Sequence, residues 1–373
     1  MIYIIGISIT FFLSFILLTK KGKSCADKIL LAWLCVILVH LILFAVISSG
    51  KYQEFPYLLG LELPIPLLHG PFLFLYTLAL TSGQPTWPKM FLHFTPYVAA
   101  LMATIPFLIL GPEAKILVYQ NEGEGFATLS TLIFVGIILS GIAYTILSLR
   151  VLVKHKTQIK DNFSFIEKIN LQWLFRLVLG LSCIWILALF TDDEIIFSSV
   201  VLFVIFIGYY GIKQVGVFTS HQILEHYPAI ESKKLSESSV ATPKVAKYDK
   251  STLADSQLKA IHSELVKLMK QKKLFLTPEL TLTMVAEELE VHPNTLSQVI
   301  NTVEQKNFFD YINTLRIEEF KDRIQNPESR KYTLLSLAYE CGFNSKTSFN
   351  RNFKNITGKS PSEYLKERKA KLE

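Results

Sequence analysis

The sequence predicts an all-α protein in which a seven-helix transmembrane bundle is followed by a soluble all-α domain with two helix-turn-helix units. Half of the 373 residues are hydrophobic, and the mean hydropathy is +0.36. Charge is unevenly distributed, because residues 1–212 hold 13 Lys+Arg and 11 Asp+Glu whereas the remainder holds 25 and 20. Near the C-terminus, apolar residues recur twice at the spacing of short helices joined by a tight turn. An apolar half therefore precedes a charged, soluble half.

The apolar half, residues 1–212, contains seven windows close to the roughly 20 residues that a membrane-spanning helix needs. The windows cover about 2–19, 29–48, 57–81, 90–110, 126–149, 171–190 and 195–212. The first is not typical of a signal peptide, because its basic cluster, Lys20, Lys21 and Lys23, follows the apolar run instead of preceding it.

Basic residues between the windows predict the orientation. The segments after windows one, three and five hold ten Lys and Arg, among them Lys154, Lys156 and Lys160, whereas the segments after windows two, four and six hold only Lys51 and Lys115. Since basic loops stay in the cytoplasm, we expect the N-terminus outside and residue 213 onward inside.

The third window is interrupted by prolines and carries two ionisable residues, Glu62 and His69. Ionisable groups in hydrocarbon are costly and are candidates for function, and broken helices often line a cavity. One hypothesis is a ligand pocket formed by Glu62, His69 and the bend at Pro64 and Pro66. The alternative is a kinked packing helix with a hydrogen-bonded histidine.

Residues 213–252 are predicted to form a flexible cytoplasmic connector, since the part from Pro228 to about Ser251 is rich in Ser, Lys, Glu and Ala and has few large apolar residues. A flexible chain of the length of Pro228–Ser251 has an expected reach of about 25–30 Å, which would keep the following domain close to the membrane unless proteolysis releases it. A helical period then begins near Leu253 with an apolar stripe that includes Leu258, Leu265 and Met269. This helix either dimerises or, as we expect, packs on the C-terminal domain.

Residues 253–373 contain the two helix-turn-helix units, at about 282–301 and 334–356. Gly342 is placed to end the first helix of the second unit, because glycine enters the left-handed region cheaply. Glu290 stands at the equivalent turn of the first unit, and because Glu tolerates a positive φ poorly, we expect this turn to be either strained or differently shaped. A long helix between the units is predicted to bury one stripe of residues. The stripe comprises Phe309, Ile312, Leu315, Phe320 and Ile324.

The C-terminal stretch resembles the AraC/XylS family of bacterial transcription regulators over roughly residues 275–370. The family pattern of the second unit is matched at several fixed positions. These are Ala338, Gly342, Phe343, Phe349, Phe353, Lys354, Gly358, Pro361 and Tyr364. The resemblance implies two helices that enter successive segments of the major groove of promoter DNA.

On this resemblance, the first recognition helix would use Asn294, Thr295 and Gln298. The second would use Ser345, Lys346, Thr347, Asn350, Arg351 and Lys354. Arg351 suits guanine and Asn350 or Gln298 suits adenine, while Lys354 suits phosphate. The implied setting is the bacterial inner membrane, and the implied partners are promoter DNA, the lipid bilayer and RNA polymerase, with a small-molecule signal and a homodimer as further expectations.

An enzyme or transporter with a DNA-binding tail is the alternative function. The sequence lacks an HExxH motif, a phosphate-binding glycine loop and a Ser/His/Asp arrangement, so we expect no catalytic residue, cofactor or metal. Another alternative treats the spans as a passive anchor. The four cysteines, Cys25, Cys35, Cys183 and Cys341, have no metal-ligand spacing, and we expect them to be reduced packing thiols.

Overall fold

The computed structural model describes residues 2–81, 87–167, 169–213, 255–326 and 331–370. Within these ranges the chain forms helices and no strand, so the all-α prediction is confirmed. The chain divides into two compact units. Unit 1 comprises Met1–His155 and Leu171–Gly216, and unit 2 comprises Lys156–Asn170 and Val217–Glu373.

Unit 1 is built from apolar helices. In chain order they are α1 (Ile2–Thr19), α2 (Cys25–Ser48), α3 (Pro66–Thr81), α4 (Trp87–Leu92), α5 (Thr95–Leu108), α6 (Pro112–Gln120), α7 (Ala127–Asn162), α8 (Gln172–Leu187) and α9 (Asp193–Lys213). The last turns of α7 belong to unit 2. Unit 1 exposes large apolar side chains, such as Ile109 and Phe190 at 77% and 80%. Such a surface suits lipid tails, because soluble monomers rarely expose large apolar patches.

Within the described residues, four helices are long and apolar enough to cross a membrane: α1, α2, α7 and α9 up to Tyr210. The pair α5 and α6 would make a fifth span, but it bends by 108°. The helices α3 and α8 are apolar and shorter, with 16 residues each. The count of seven spans therefore remains a prediction.

The third predicted window, 57–81, is α-helical only from Pro66 onward. A 3₁₀ turn covers Pro56–Leu58, and α3 begins at Pro66. Proline is tolerated in the first turn of a helix because the missing N–H would have no partner there. Pro71 lies inside α3 without ending it.

Unit 2 contains the C-terminal helices. They are α10 (Asp255–Lys272), α11 (Leu282–Glu288), α12 (Pro293–Val299), α13 (Phe308–Arg323), α14 (Leu334–Glu340), α15 (Lys346–Thr357) and α16 (Pro361–Ala370). The predicted connector, 213–252, lies almost entirely outside the described residues. The α10 side chains Leu265 and Met269 are buried in the core around α11 and α12, so α10 packs on this domain as expected.

Two hydrophobic cores lie at opposite ends of α13. The first includes Phe308 and Ile312, and the second includes Ile317 and Phe320. Phe309, predicted to share the stripe of Ile312, instead joins a third cluster with residues of the 159–169 stretch. The difference arises because α13 is buried on more than one side.

Candidate nucleic-acid interface

The first helix-turn-helix unit is formed by α11 and α12. Thr281 caps α11 by accepting a hydrogen bond from the Met284 N–H, at 3.3 Å. His292 caps α12, since its Nδ1 accepts from the Asn294 N–H at 3.2 Å, and Pro293 occupies the first turn. These local bonds satisfy helix-end donors that would otherwise have no partner.

The turn between α11 and α12 contains a strained residue. Glu290 has a φ of +53°, in the left-handed region that costs a residue with a Cβ roughly 1–2 kcal/mol. The Val291 N–H still reaches the Ala286 carbonyl at 3.0 Å, which closes the turn. The strain predicted at Glu290 is therefore present without loss of the turn.

The second unit is formed by α14 and α15. Thr333 caps α14, and Ser345 caps α15 by accepting from the Ser348 N–H at 3.1 Å. Gly342 has a φ of +90°, and a Cβ placed there would lie 2.7 Å from the Phe275 carbonyl oxygen. Glycine is thus required at this turn for two reasons, its backbone conformation and the close approach of another main chain.

Aromatic side chains hold α15 on its core. The Phe349 and Phe353 rings lie 4.7 and 5.7 Å from that of Phe320, and Tyr364 packs on Phe353 at 5.4 Å. Burial beside them raises the pKa of the Cys341 thiol to about 12. The apolar face of α15 is therefore fixed, which leaves its polar face to solvent.

The described side chains of the predicted DNA contacts differ in exposure. In α15, Lys346, Thr347, Asn350 and Lys354 are exposed, Ser345 is half-buried, and in α12 Asn294 is exposed and Thr295 is half-buried. Gln298 is only 9% exposed. Because it is buried, Gln298 suits base contact least among the predicted residues.

Arg351, the predicted guanine contact, is engaged by an acid from a distant part of unit 2. Its Nη2 donates to Glu167 Oε1 at 2.7 Å, and the two side chains are 37% and 23% exposed. Glu167 lies in the stretch between α7 and α8. In the sequence this stretch stands out only by its basic residues, which carry no signal of a contact with Arg351.

Arg316 anchors the same stretch at the middle of α13. Its Nε donates to the Phe275 carbonyl and its Nη2 to the Thr277 carbonyl, both at 2.7 Å, and Nη2 also reaches Ser164 Oγ at 3.1 Å. Burial lowers the pKa of Arg316 to about 10, while the Glu167 carboxylate opposes this shift. Arg316 therefore remains charged at neutral pH.

The predicted ligand-pocket residues are both engaged within unit 1. Glu62 is buried and accepts from the Gly60 N–H at 2.8 Å. His69 Nδ1 accepts from Trp33 Nε1 at 3.2 Å, and its Nε2 lies 3.4 Å from His40 Nδ1. This arrangement favours the alternative of a hydrogen-bonded packing histidine, and the pocket remains a prediction.

Two further predictions concern cysteines and metals. All four cysteines are free thiols, as expected. Cys341 is buried and Cys25 is half-buried, but Cys35 and Cys183 are exposed on unit 1, so the expected packing role is wrong for these two. In the part of the chain that the structure describes, no group of three His, Cys, Asp or Glu side chains is arranged to hold a metal ion.

Comparison with known proteins agrees with this geometry. A family model described as a helix-turn-helix domain matches residues 285–367. The match runs from α11 into α16 and supports the resemblance to AraC-type DNA-binding domains. Neither the curated proteins nor the solved structures gave a match. The chain thus carries a helix-turn-helix domain of the kind found in DNA-binding regulators.

Proposed function

We propose that this protein is a membrane-embedded regulator of transcription that binds specific DNA sequences. The observation that carries the proposal is the pair of helix-turn-helix units joined by α13, inside a matched family segment. In such units the second helix lies in the major groove, so α12 and α15 are the recognition helices.

The polar face of α15 has the chemistry that DNA requires. Exposed Lys346 and Lys354 would neutralise phosphates, and Asn350 beside them would read a base edge. Arg351 would read guanine once its guanidinium is released from Glu167. In α12, Asn294 and Thr295 supply the corresponding contacts.

The membrane setting rests on the four spanning-length helices and the exposed apolar surface of unit 1. With the orientation that the basic loops predict, residues 213–373 lie in the cytoplasm of a bacterium, where promoter DNA and RNA polymerase are found. A small-molecule signal that favours one arrangement of the spans would change the availability of the DNA-binding domain. A homodimer would place two such domains on one operator.

Genome-wide mapping of DNA cross-linked to the full-length protein tests this function. Discrete enriched sites that share a sequence motif are the expected result. The matched control is the full-length chain with Lys346, Asn350 and Arg351 changed to alanine, which should lose the enrichment while remaining in the membrane fraction. The same profile from both chains would contradict the proposal.

A further inference from the structure

The 15 residues Lys156–Asn170, the docking segment, cluster with the DNA-binding domain and not with the apolar helices that flank them. The segment starts inside the last turns of α7, which ends at Asn162, and α8 begins at Gln172. It is therefore covalently joined to two apolar helices at its two ends.

Main-chain pairing and apolar packing hold the docking segment on unit 2. Phe163 forms an antiparallel bridge with Thr281, and both the N–H and the hydroxyl of Ser164 donate to the Leu280 carbonyl, at 3.1 and 2.7 Å. Its apolar side chains are buried around Phe309, which is 3% exposed. They are Ile159, Phe163, Phe165, Ile166 and Ile169.

Polar groups of α13 recognise the main chain of the segment. Asn313 Nδ2 donates to the Ser164 carbonyl at 3.0 Å, and Arg316 contacts both the carbonyl and the hydroxyl of Ser164. Lys160 lies over the Phe309 ring, 5.5 Å from its centre. Buried main chain held by buried donors indicates a specific docking site, since an unpaired buried group would be costly.

The segment also competes with DNA for a recognition residue. The Glu167 carboxylate occupies Nη2 of Arg351, and a bidentate contact to guanine needs two guanidinium donors. A carboxylate at this position would in addition repel the phosphates of an approaching duplex. The docked arrangement is thus unfavourable for DNA reading by Arg351.

We propose that the docking segment is an internal inhibitor, which holds Arg351 through Glu167 and connects the apolar helices α7 and α8 to the DNA-binding domain. This inference rests on the proposed function. A signal that moves α7 against α8 would pull the segment from its site, free Arg351 and raise the affinity for DNA. The coupling needs no extra domain, because the segment begins within the last turns of α7 and is followed directly by α8.

The test uses the full-length chain in lipid nanodiscs and a duplex recovered by the wild-type protein from a random-sequence pool. Glu167→Ala should lower the Kd for this duplex about two- to fivefold, the range expected for a partly exposed ion pair. The matched control Glu318→Gln removes one negative charge from an exposed pair with Lys321 and should leave the Kd unchanged.

A second comparison distinguishes loss of the Glu167–Arg351 ion pair from a general effect of removing a negative charge. When Arg351 is already changed to glutamine, Glu167→Ala should lower the Kd by less than it does in the wild type, because the ion pair is gone and only the repulsion between Glu167 and phosphate is left to remove. Equal Kd values for Glu167→Ala and wild type, or the same gain in both Arg351 backgrounds, would overturn the inhibitor while leaving DNA binding intact. Failure of every variant to bind any duplex would overturn the proposed function itself.

Discussion

Arg351 on α15 and Glu167 between α7 and α8 are 184 positions apart in the sequence, yet their charged groups meet at 2.7 Å. The contact joins the middle of α15 to a stretch that directly precedes α8. It makes Arg351 the residue at which DNA binding and the apolar helices would communicate. We therefore expect substitution of Arg351 to affect DNA binding differently from substitution of the other polar residues of α15.

Changing Arg351 to alanine should reduce affinity for the recovered duplex by about 1–3 kcal/mol and relax preference at one base position, since a bidentate guanine contact would be lost. Binding measured on duplexes substituted at each position in turn checks this. The control Lys354→Ala should weaken binding to all of these duplexes alike and lower the salt slope by about one. A uniform loss for Arg351→Ala would mean that this residue contacts phosphate.

Gly342 and Gly358 offer a matched pair in the second unit. Both have positive φ, +90° and +77°, but a Cβ at Gly342 would meet the Phe275 and Leu276 carbonyl oxygens, whereas one at Gly358 would meet open space. Gly358→Ala should cost roughly 1–2 kcal/mol of stability from backbone strain alone. Gly342→Ala should cost about 2–4 kcal/mol because overlap is added. Urea unfolding followed by protease susceptibility of unit 2 measures both, and equal costs would contradict the close approach.

Glu290→Gly should stabilise the first unit by about 0.5–1 kcal/mol, because relief of left-handed strain exceeds the entropy that glycine loses on folding. Its φ of +53° is the basis of this expectation. The same unfolding measurement applies. As a control, Glu287→Gly within α11 should lower the stability of the first unit by a similar amount, because glycine is unfavourable inside a helix. A loss of stability in Glu290→Gly would show that the turn needs the side chain.

Glu319 should make unit 2 sensitive to acid. Burial alone would raise the pKa of this carboxyl, but the hydrogen bonds and charges of Lys273 and Arg323 outweigh burial and lower its pKa from 4.5. A lowered folded-state pKa gives a contribution that is fully present above the unfolded value and is lost as the pH falls through the folded value. Glu319→Gln should therefore flatten the pH dependence of Tm below pH 4.5. An unchanged profile would contradict the assignment.

A disulfide should lock the docking segment in place. The bridge between Phe163 and Thr281 brings their Cα atoms to about 4.5–5.5 Å, which lies within the span of a disulfide. Oxidised Phe163→Cys/Thr281→Cys protein should bind the duplex more weakly than the reduced form, and reduction should restore binding. The single variant Phe163→Cys is the control and should show no redox dependence. Equal affinity for the duplex before and after reduction would show that docking of the segment does not inhibit DNA binding.

The sequence was sufficient for features that depend on neighbouring residues. Gly342 is predicted to end the first helix of the second unit because the backbone freedom of glycine acts locally, and the structure shows its positive φ of +90°. The strain at Glu290 could be predicted for the same reason. Fold class followed from the apolar windows, but α3 and α5 are shorter than their windows because hydropathy does not locate the helix ends that prolines set.

The docking segment could not be predicted by the same reasoning. Its Lys156 and Lys160 were interpreted only as signals of orientation, whereas its Phe163, Phe165 and Ile166 carry the packing. These three apolar residues inside a basic loop are the signal in the sequence that could have indicated a docking site. The segment packs on α13 through tertiary contacts between residues more than 100 positions apart in the sequence. Local residue spacing does not predict such contacts.

Binding of a labelled duplex to membrane vesicles of known orientation tests the central claim most directly. The full-length chain in inside-out vesicles should retain the recovered duplex in excess heparin, because specific contacts survive a competing polyanion. Sealed right-side-out vesicles with the same amount of protein should retain none, since the DNA-binding domain would lie inside. Retention by right-side-out vesicles, or none by either kind, would contradict a DNA-binding domain held at the cytoplasmic face of the membrane.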